Sequence, residues 1–187
     1  PQKIQNALLQ VLQEKYATIG SYDIDFPSDF VFIGTMNPED SSTEKLSHVF
    51  MDRFDVIYVG YPQTADQEKQ IIQGQGQSIV NYPKELLDST VQFVRSMREN
   101  ENLSRHPSVR ATIGLYERAQ SNASLSGRDA VNSYDIYNAV MSVLAHRIEL
   151  KPSVKYLQKP EEFIQEQFRK FAKAKGLSLE ESEKELG

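Results

Sequence analysis

The chain has 187 residues, 39% hydrophobic and 25% charged, with 21 Lys and Arg against 26 Asp and Glu for a net charge of −5. That composition is ordinary globular and excludes wholesale disorder, collagen and low-complexity tracts; the acidic balance argues against nucleic acid as a partner. The absence of cysteine excludes a disulfide framework, a thiol nucleophile and a Cys-type zinc site, and fits a cytoplasmic setting.

The apolar runs, such as residues 30–33 and 56–59, fall far short of the ~20 residues that cross a bilayer, so no membrane association is expected. The chain starts at Pro1 and its first methionine is Met36, inside an apolar run, which suggests a piece of something longer. Ile4, Ala7, Leu8, Val11 and Leu12 recur at helical spacing and predict an amphipathic helix to about residue 14. Tyr22, Ile24 and Phe26 then alternate with Ser21, Asp23 and Asp25 beyond a Gly20-Ser21 turn, which predicts a β-hairpin with one wet face. Residues 30–35 and 55–59 are continuously apolar, as strands buried on both faces are, and flank a helical stretch from about Thr43 to Phe54.

After Pro62 the pattern becomes helical. Thr64 and Gln67 form a capping box opening a short helix that Gly74 and Gly76 can end. Pro83 suits the start of a long helix with Leu87, Val91, Phe93 and Val94 on its apolar side. A third helix starts near Ser108 with Ile113, Leu115, Tyr116 and Ala119. A fourth, capped by Asn132 with Asp135 three residues on, carries Ile136, Val140, Val143 and Leu144. Beyond Lys151-Pro152 a tail helix shows Phe163, Ile164, Phe168 and Phe171 on one side, a stripe that needs a covering surface. A last acidic turn follows, capped by Ser178 and Glu181.

Three polar side chains stand out. Asn37, in Gly34-Thr35-Met36-Asn37-Pro38, leaves a predicted buried strand, where an amide can orient a water or touch a phosphate oxygen. Arg53 lies in Met51-Asp52-Arg53-Phe54-Asp55 at the end of a helix, and Arg110 stands in the first turn of the helix that starts near Ser108, where a guanidinium could clamp phosphate. Taken singly, each reads at least as well as something plain: a turn at Asn37-Pro38, a local ion pair at Arg53, a solvated helix residue at Arg110. His48, His106 and His146 lack metal-ligand spacing, and Gly74-Gln75-Gly76 lacks the preceding strand a dinucleotide site needs.

Joined in order, these segments resemble the part of an AAA+ ATPase of the MoxR and magnesium-chelatase kind that follows Walker B. Residues 3–14 look like the helix after Walker B, residues 15–30 like the hairpin before sensor 1, and Thr35-Met36-Asn37-Pro38 like the sensor 1 strand end. Residues 43–55 are similar to the arginine-finger segment. Ser108-Val109-Arg110-Ala111-Thr112-Ile113, Gly127-Arg128-Asp129 and Val131-Asn132-Ser133-Tyr134-Asp135 look like the sensor 2 helix and the rest of the lid.

The resemblance implies a fold class of α/β plus all-α: residues 1–62 a partial AAA+ α/β core, residues 63–150 a helical lid, residues 151–187 a helical tail. It implies Asn37 as sensor 1, Arg53 as a finger reaching a neighbouring subunit's nucleotide, and Arg110 as sensor 2. It also implies ATP and Mg²⁺ in the complete parent, a homo-oligomeric ring expected to be a hexamer, and a protein client remodelled, matured or loaded with metal, such as a von Willebrand A domain protein. The chain departs from the family in lacking G-x-x-x-x-G-K-[ST] and a strand ending in Asp-Glu, so on its own it is expected neither to hold ATP tightly nor to hydrolyse it. In the family, moreover, the Walker A strand lies between the strands at 30–35 and 55–59, which would leave both without a ladder partner here. A nucleotide-independent helical adaptor is the alternative function.

Overall fold

A computed structural model describes residues 2–19, 22–27, 30–37 and 45–179. It divides into two compact units, Pro1–Val59 and Gly60–Gly187.

The first unit opens with helix α1, Gln2–Glu14, closed by Lys15 in the left-handed region at φ 59°. Strands β1, Tyr16–Ile19, and β2, Tyr22–Pro27, pair antiparallel, with Ala17 opposite Phe26 and Ile19 opposite Tyr22. The expected hairpin is therefore present. Its Gly20-Ser21 turn lies outside the described residues, and so do the side chains that would define its wet face.

Two sequence expectations need correction in this unit. Residues 30–37 and 55–59 are in no strand, and their apolar side chains face solvent: Val31 is 87% exposed, Ile33 86%, Ile57 85% and Val59 92%. Apolar composition favours a strand only when a neighbour satisfies its N–H and C=O groups, and among the described residues neither segment has one. The helix expected over residues 43–54 is a single turn, α2, His48–Met51. Ser47 starts it in an extended conformation, accepting at its side chain from the Phe50 N–H; Thr43 and Glu44 lie outside the described residues. A small aromatic group of Phe32, Phe50 and Phe54 holds this turn, with Phe50 buried. The stripe of α1 is incompletely buried, and Ile4 is exposed.

The second unit is a helical bundle. Helix α3, Ala65–Gln75, carries both hydrogen bonds of the Thr64/Gln67 capping box. Gly76 caps its end where no larger residue fits, since a Cβ there would lie 2.8 Å from the Ile72 carbonyl oxygen and 2.9 Å from Tyr116 Cδ1. Helices α4, Lys84–Arg98, α5, Val109–Leu125, and α6, Ser133–Leu144, follow in the predicted places, with Pro83 at the N-cap of α4. The Asn132/Asp135 box opens α6, and Asp135 is also held bidentately by Arg128 at 2.6 and 2.7 Å. A short ladder that the sequence pattern does not reveal joins β3, Leu103–Arg105, to β4, Glu149–Leu150.

The one-turn helix α7, Pro152–Lys155, leads into α8, Pro160–Lys175, which ends at Gly176 with φ 67°. Three of the four residues of its stripe, Phe163, Ile164 and Phe168, are buried in one core with Phe93, Val94 and Met97 of α4, Leu115 of α5 and Ile136 and Val140 of α6, and the fourth, Phe171, packs against that core partly buried. Phe168 meets Phe93 edge-on at 4.8 Å, an arrangement aromatic quadrupoles favour. The acidic turn predicted to follow includes Glu181, outside the described residues.

Candidate functional site

The three residues singled out from sequence fall in different units. Asn37 and Arg53 belong to the first, Arg110 to the second.

Asn37 is exposed at the end of segment 30–37, which has no regular secondary structure. Arg53 is exposed just beyond α2, and its guanidinium donates to the Val49 carbonyl and, at 2.9 Å, to Gln13 Oε1 on α1. Gln5, buried on the same helix, accepts from the Ser47 N–H at 3.0 Å. Gln5 and Gln13 are eight residues apart, a spacing that puts both on one helix face, so α1 holds the Arg53 turn at two points. No sequence signal marks these glutamines, because helical periodicity identifies the apolar stripe of α1 and not the partners of its polar side chains.

Arg110 stands in the first turn of α5, exposed, with no hydrogen bond or ion pair among the described residues. The N-cap, Ser108, makes no side-chain capping bond, and its carbonyl accepts from the Ala111 N–H. Around this free guanidinium the helix start is tightly braced. Glu68 of α3, fully buried, takes Arg98 of α4 bidentately at 2.6 and 2.8 Å and accepts from Thr112 Oγ1 at 2.6 Å. Arg98 Nε donates to the Pro107 carbonyl at 2.9 Å. The turn bearing Arg110 is thus tied down immediately before and immediately after it.

Burial alone would raise the Glu68 carboxyl, but hydrogen bonds from Arg98 and Thr112 and the charges of Arg98 and Arg95 outweigh it and hold the group below its ordinary value. This cluster was missed from sequence, although a signal existed. Glu68 sits four residues before Ile72, and Arg98 four after Val94, so both charges lie on apolar helix stripes, where only paired charges survive.

Among the described residues no group of three or more His, Asp or Glu could hold a metal ion, and no helix is long and apolar enough to cross a membrane.

The helical bundle that carries Arg110 also carries the stretch of sequence that other proteins share. Residues 95–167 match the family model of the AAA lid domain. The chain is 32% identical over 184 residues to the Chaperone MoxR1 of Mycobacterium tuberculosis, covering 80% of this chain and 48% of that protein. It is 29% identical over 182 residues to the uncharacterized protein YeaC of Bacillus subtilis, covering 82% of this chain and 56% of that one. A crystal structure of a candidate ATPase from Cytophaga hutchinsonii is similar at 24% identity with a TM-score of 0.45, covering 91% of this chain and 62% of that chain. The chain carries an AAA lid domain and is related to the MoxR-like AAA+ ATPases, and it spans about half the length of the curated relatives it matches.

Proposed function

We propose that this chain supplies the sensing and arginine-finger portion of an ATP-hydrolysing ring that remodels, matures or loads metal into a client protein. The observation that carries this reading is Arg110: an exposed guanidinium without a partner among the described residues, on a helix start that a buried ion pair holds in place. Such a group fits a phosphate, which a guanidinium binds through paired N–H donors. Arg110 would then hold the nucleotide of its own subunit as sensor 2, Asn37 would orient the attacking water as sensor 1, and Arg53 would reach a neighbouring subunit. Phosphoryl transfer consists mostly of positioning and charge neutralisation, and a finger supplied in trans contributes about 10³ to 10⁵ in rate.

In this reading Mg²⁺ and the β-phosphate would be held by a P-loop and an Asp-Glu pair, motifs that these 187 residues do not contain. The reading includes a core over residues 1–62, a lid over 63–150, a helical tail over 151–187, a homohexameric ring and a cytoplasmic location, with a von Willebrand A domain protein as a candidate client. The adaptor reading draws on one observation, that the helical unit completes its own core and leaves Tyr156 and Leu157 exposed.

The coding sequence upstream of Pro1 separates the two readings: a P-loop and Asp-Glu pair there support the ATPase, and their absence overturns it. In a protein carrying both, Arg53→Ala is expected to abolish turnover with ATP affinity nearly unchanged. Mixing that variant with subunits whose finger is intact should restore hydrolysis; failure to do so would refute action in trans.

A further inference from the structure

The Glu68 cluster does more than fasten helices. Arg95, four residues after Val91 on α4, donates from Nη1 to the Pro62 carbonyl at 2.9 Å and from Nη2 to the Gln63 carbonyl at 3.0 Å, while approaching Glu68 Oε2 at 3.5 Å. The Arg98 guanidinium lies over the Tyr61 ring, 4.6 Å from its centre. Residues 61–63 belong to no helix, and they begin the helical unit directly after the first unit ends at Val59. The same two arginines that surround Glu68 therefore grip the joint between the units on one side and, through Pro107 and Thr112, the start of α5 on the other. An ion pair serving only to join α3 to α4 would have no use for three backbone carbonyls outside both helices.

We propose that Glu68, Arg95 and Arg98 form a clamp locking residues 61–63 to the first turn of α5, so that Arg110 and the joint move as one rigid piece. Glu68, Arg95 and Arg98 are positioning residues in this scheme. The consequence for regulation rests on the reading of Arg110 given above: when a phosphate draws Arg110 towards it, residues 61–63 move with it. The clamp itself does not depend on that reading.

The chain contains no cysteine, so a pair of introduced cysteines can carry spin labels without background. Gly60→Cys labels the joint, where a Cβ meets nothing within 4 Å, and Leu125→Cys labels the far end of the helix that Arg110 opens, at a position 83% exposed. Electron–electron distance measurement on the full chain should give one narrow distribution. Arg95→Gln should broaden it roughly twofold as the joint is released into local motion. A control pair, Leu125→Cys with Tyr156→Cys, stays narrow and shows that the bundle remains folded.

Glu68→Gln should act likewise. If that variant does not fold, Arg95→Gln decides alone, because its partly exposed side chain leaves the Glu68–Arg98–Thr112 bonds standing. Parent-like width in Arg95→Gln with an unchanged control would overturn the clamp. Arg110→Ala should leave the 60–125 distribution unaltered, so a failed nucleotide reading would appear in turnover assays on a protein that carries a P-loop and an Asp-Glu pair, and not here.

Discussion

Glu68 shows how a single side chain can be both costly and indispensable. Removing a carboxylate from water is unfavourable, and the surrounding donors offset this only because two arginines and a threonine converge on it. Truncation to Ala, which leaves Arg98 buried at 7% side-chain exposure with its charge unmatched, should cost about 3–5 kcal/mol in urea unfolding. The depressed pKa fixes the sign of the pH effect. Glu68's contribution is complete above the ordinary glutamate value of 4.5 and is lost as pH falls through the lower folded value. Urea midpoints measured from about pH 6 down to about pH 3 should therefore fall more steeply for the parent than for Glu68→Gln. Equal slopes would show that other carboxylates govern acid unfolding.

At the level of elements, capping residues made the helices legible. Thr64/Gln67 and Asn132/Asp135 form reciprocal boxes in the structure, as their spacing requires, because the first turn of any helix leaves N–H groups that a side chain can accept from. Asn132→Ala should destabilise the bundle by about 1 kcal/mol, read as a shift in thermal midpoint. A smaller effect is expected if Arg128 holds Asp135 in place unaided.

Less legible was the destination of α8. Its stripe of Phe163, Ile164 and Phe168 announced a need for cover, but periodicity names a face and not its partner; only the tertiary fold shows Phe93 waiting on α4. Truncation before Pro160 should consequently unfold the bundle rather than trim it, with loss of helical circular dichroism at 25 °C, since a core missing Phe163, Ile164 and Phe168 loses several large side chains together. The polar clamp was harder still, because its partners lie about 30 residues apart and follow no repeat.

Across the whole molecule, the two units differ in how completely they satisfy themselves. The unit from Gly60 onward has a large core with a smaller cluster of Ile72, Leu87, Val91 and Tyr116 beside it, capped helices and a paired ladder, so residues 60–187 expressed alone should unfold in a single cooperative step at the midpoint shown by the full chain. Among the described residues the first unit buries one aromatic side chain, Phe50, beside a two-stranded hairpin, which is marginal in isolation. Here composition misled: residues 30–35 and 55–59 have the apolar content of interior strands, yet a strand is defined by its neighbours, and that information is not local.

The bare backbone along Val31, Ile33 and residues 57–59 has a practical consequence for anyone handling this protein. Two greasy, hydrogen-bond-hungry ribbons laid open to water are templates on which one molecule can zip onto the next. Preparations should grow turbid as they are concentrated, and replacing Val31 and Ile33 with lysine should keep light scattering low without altering the melting of the bundle.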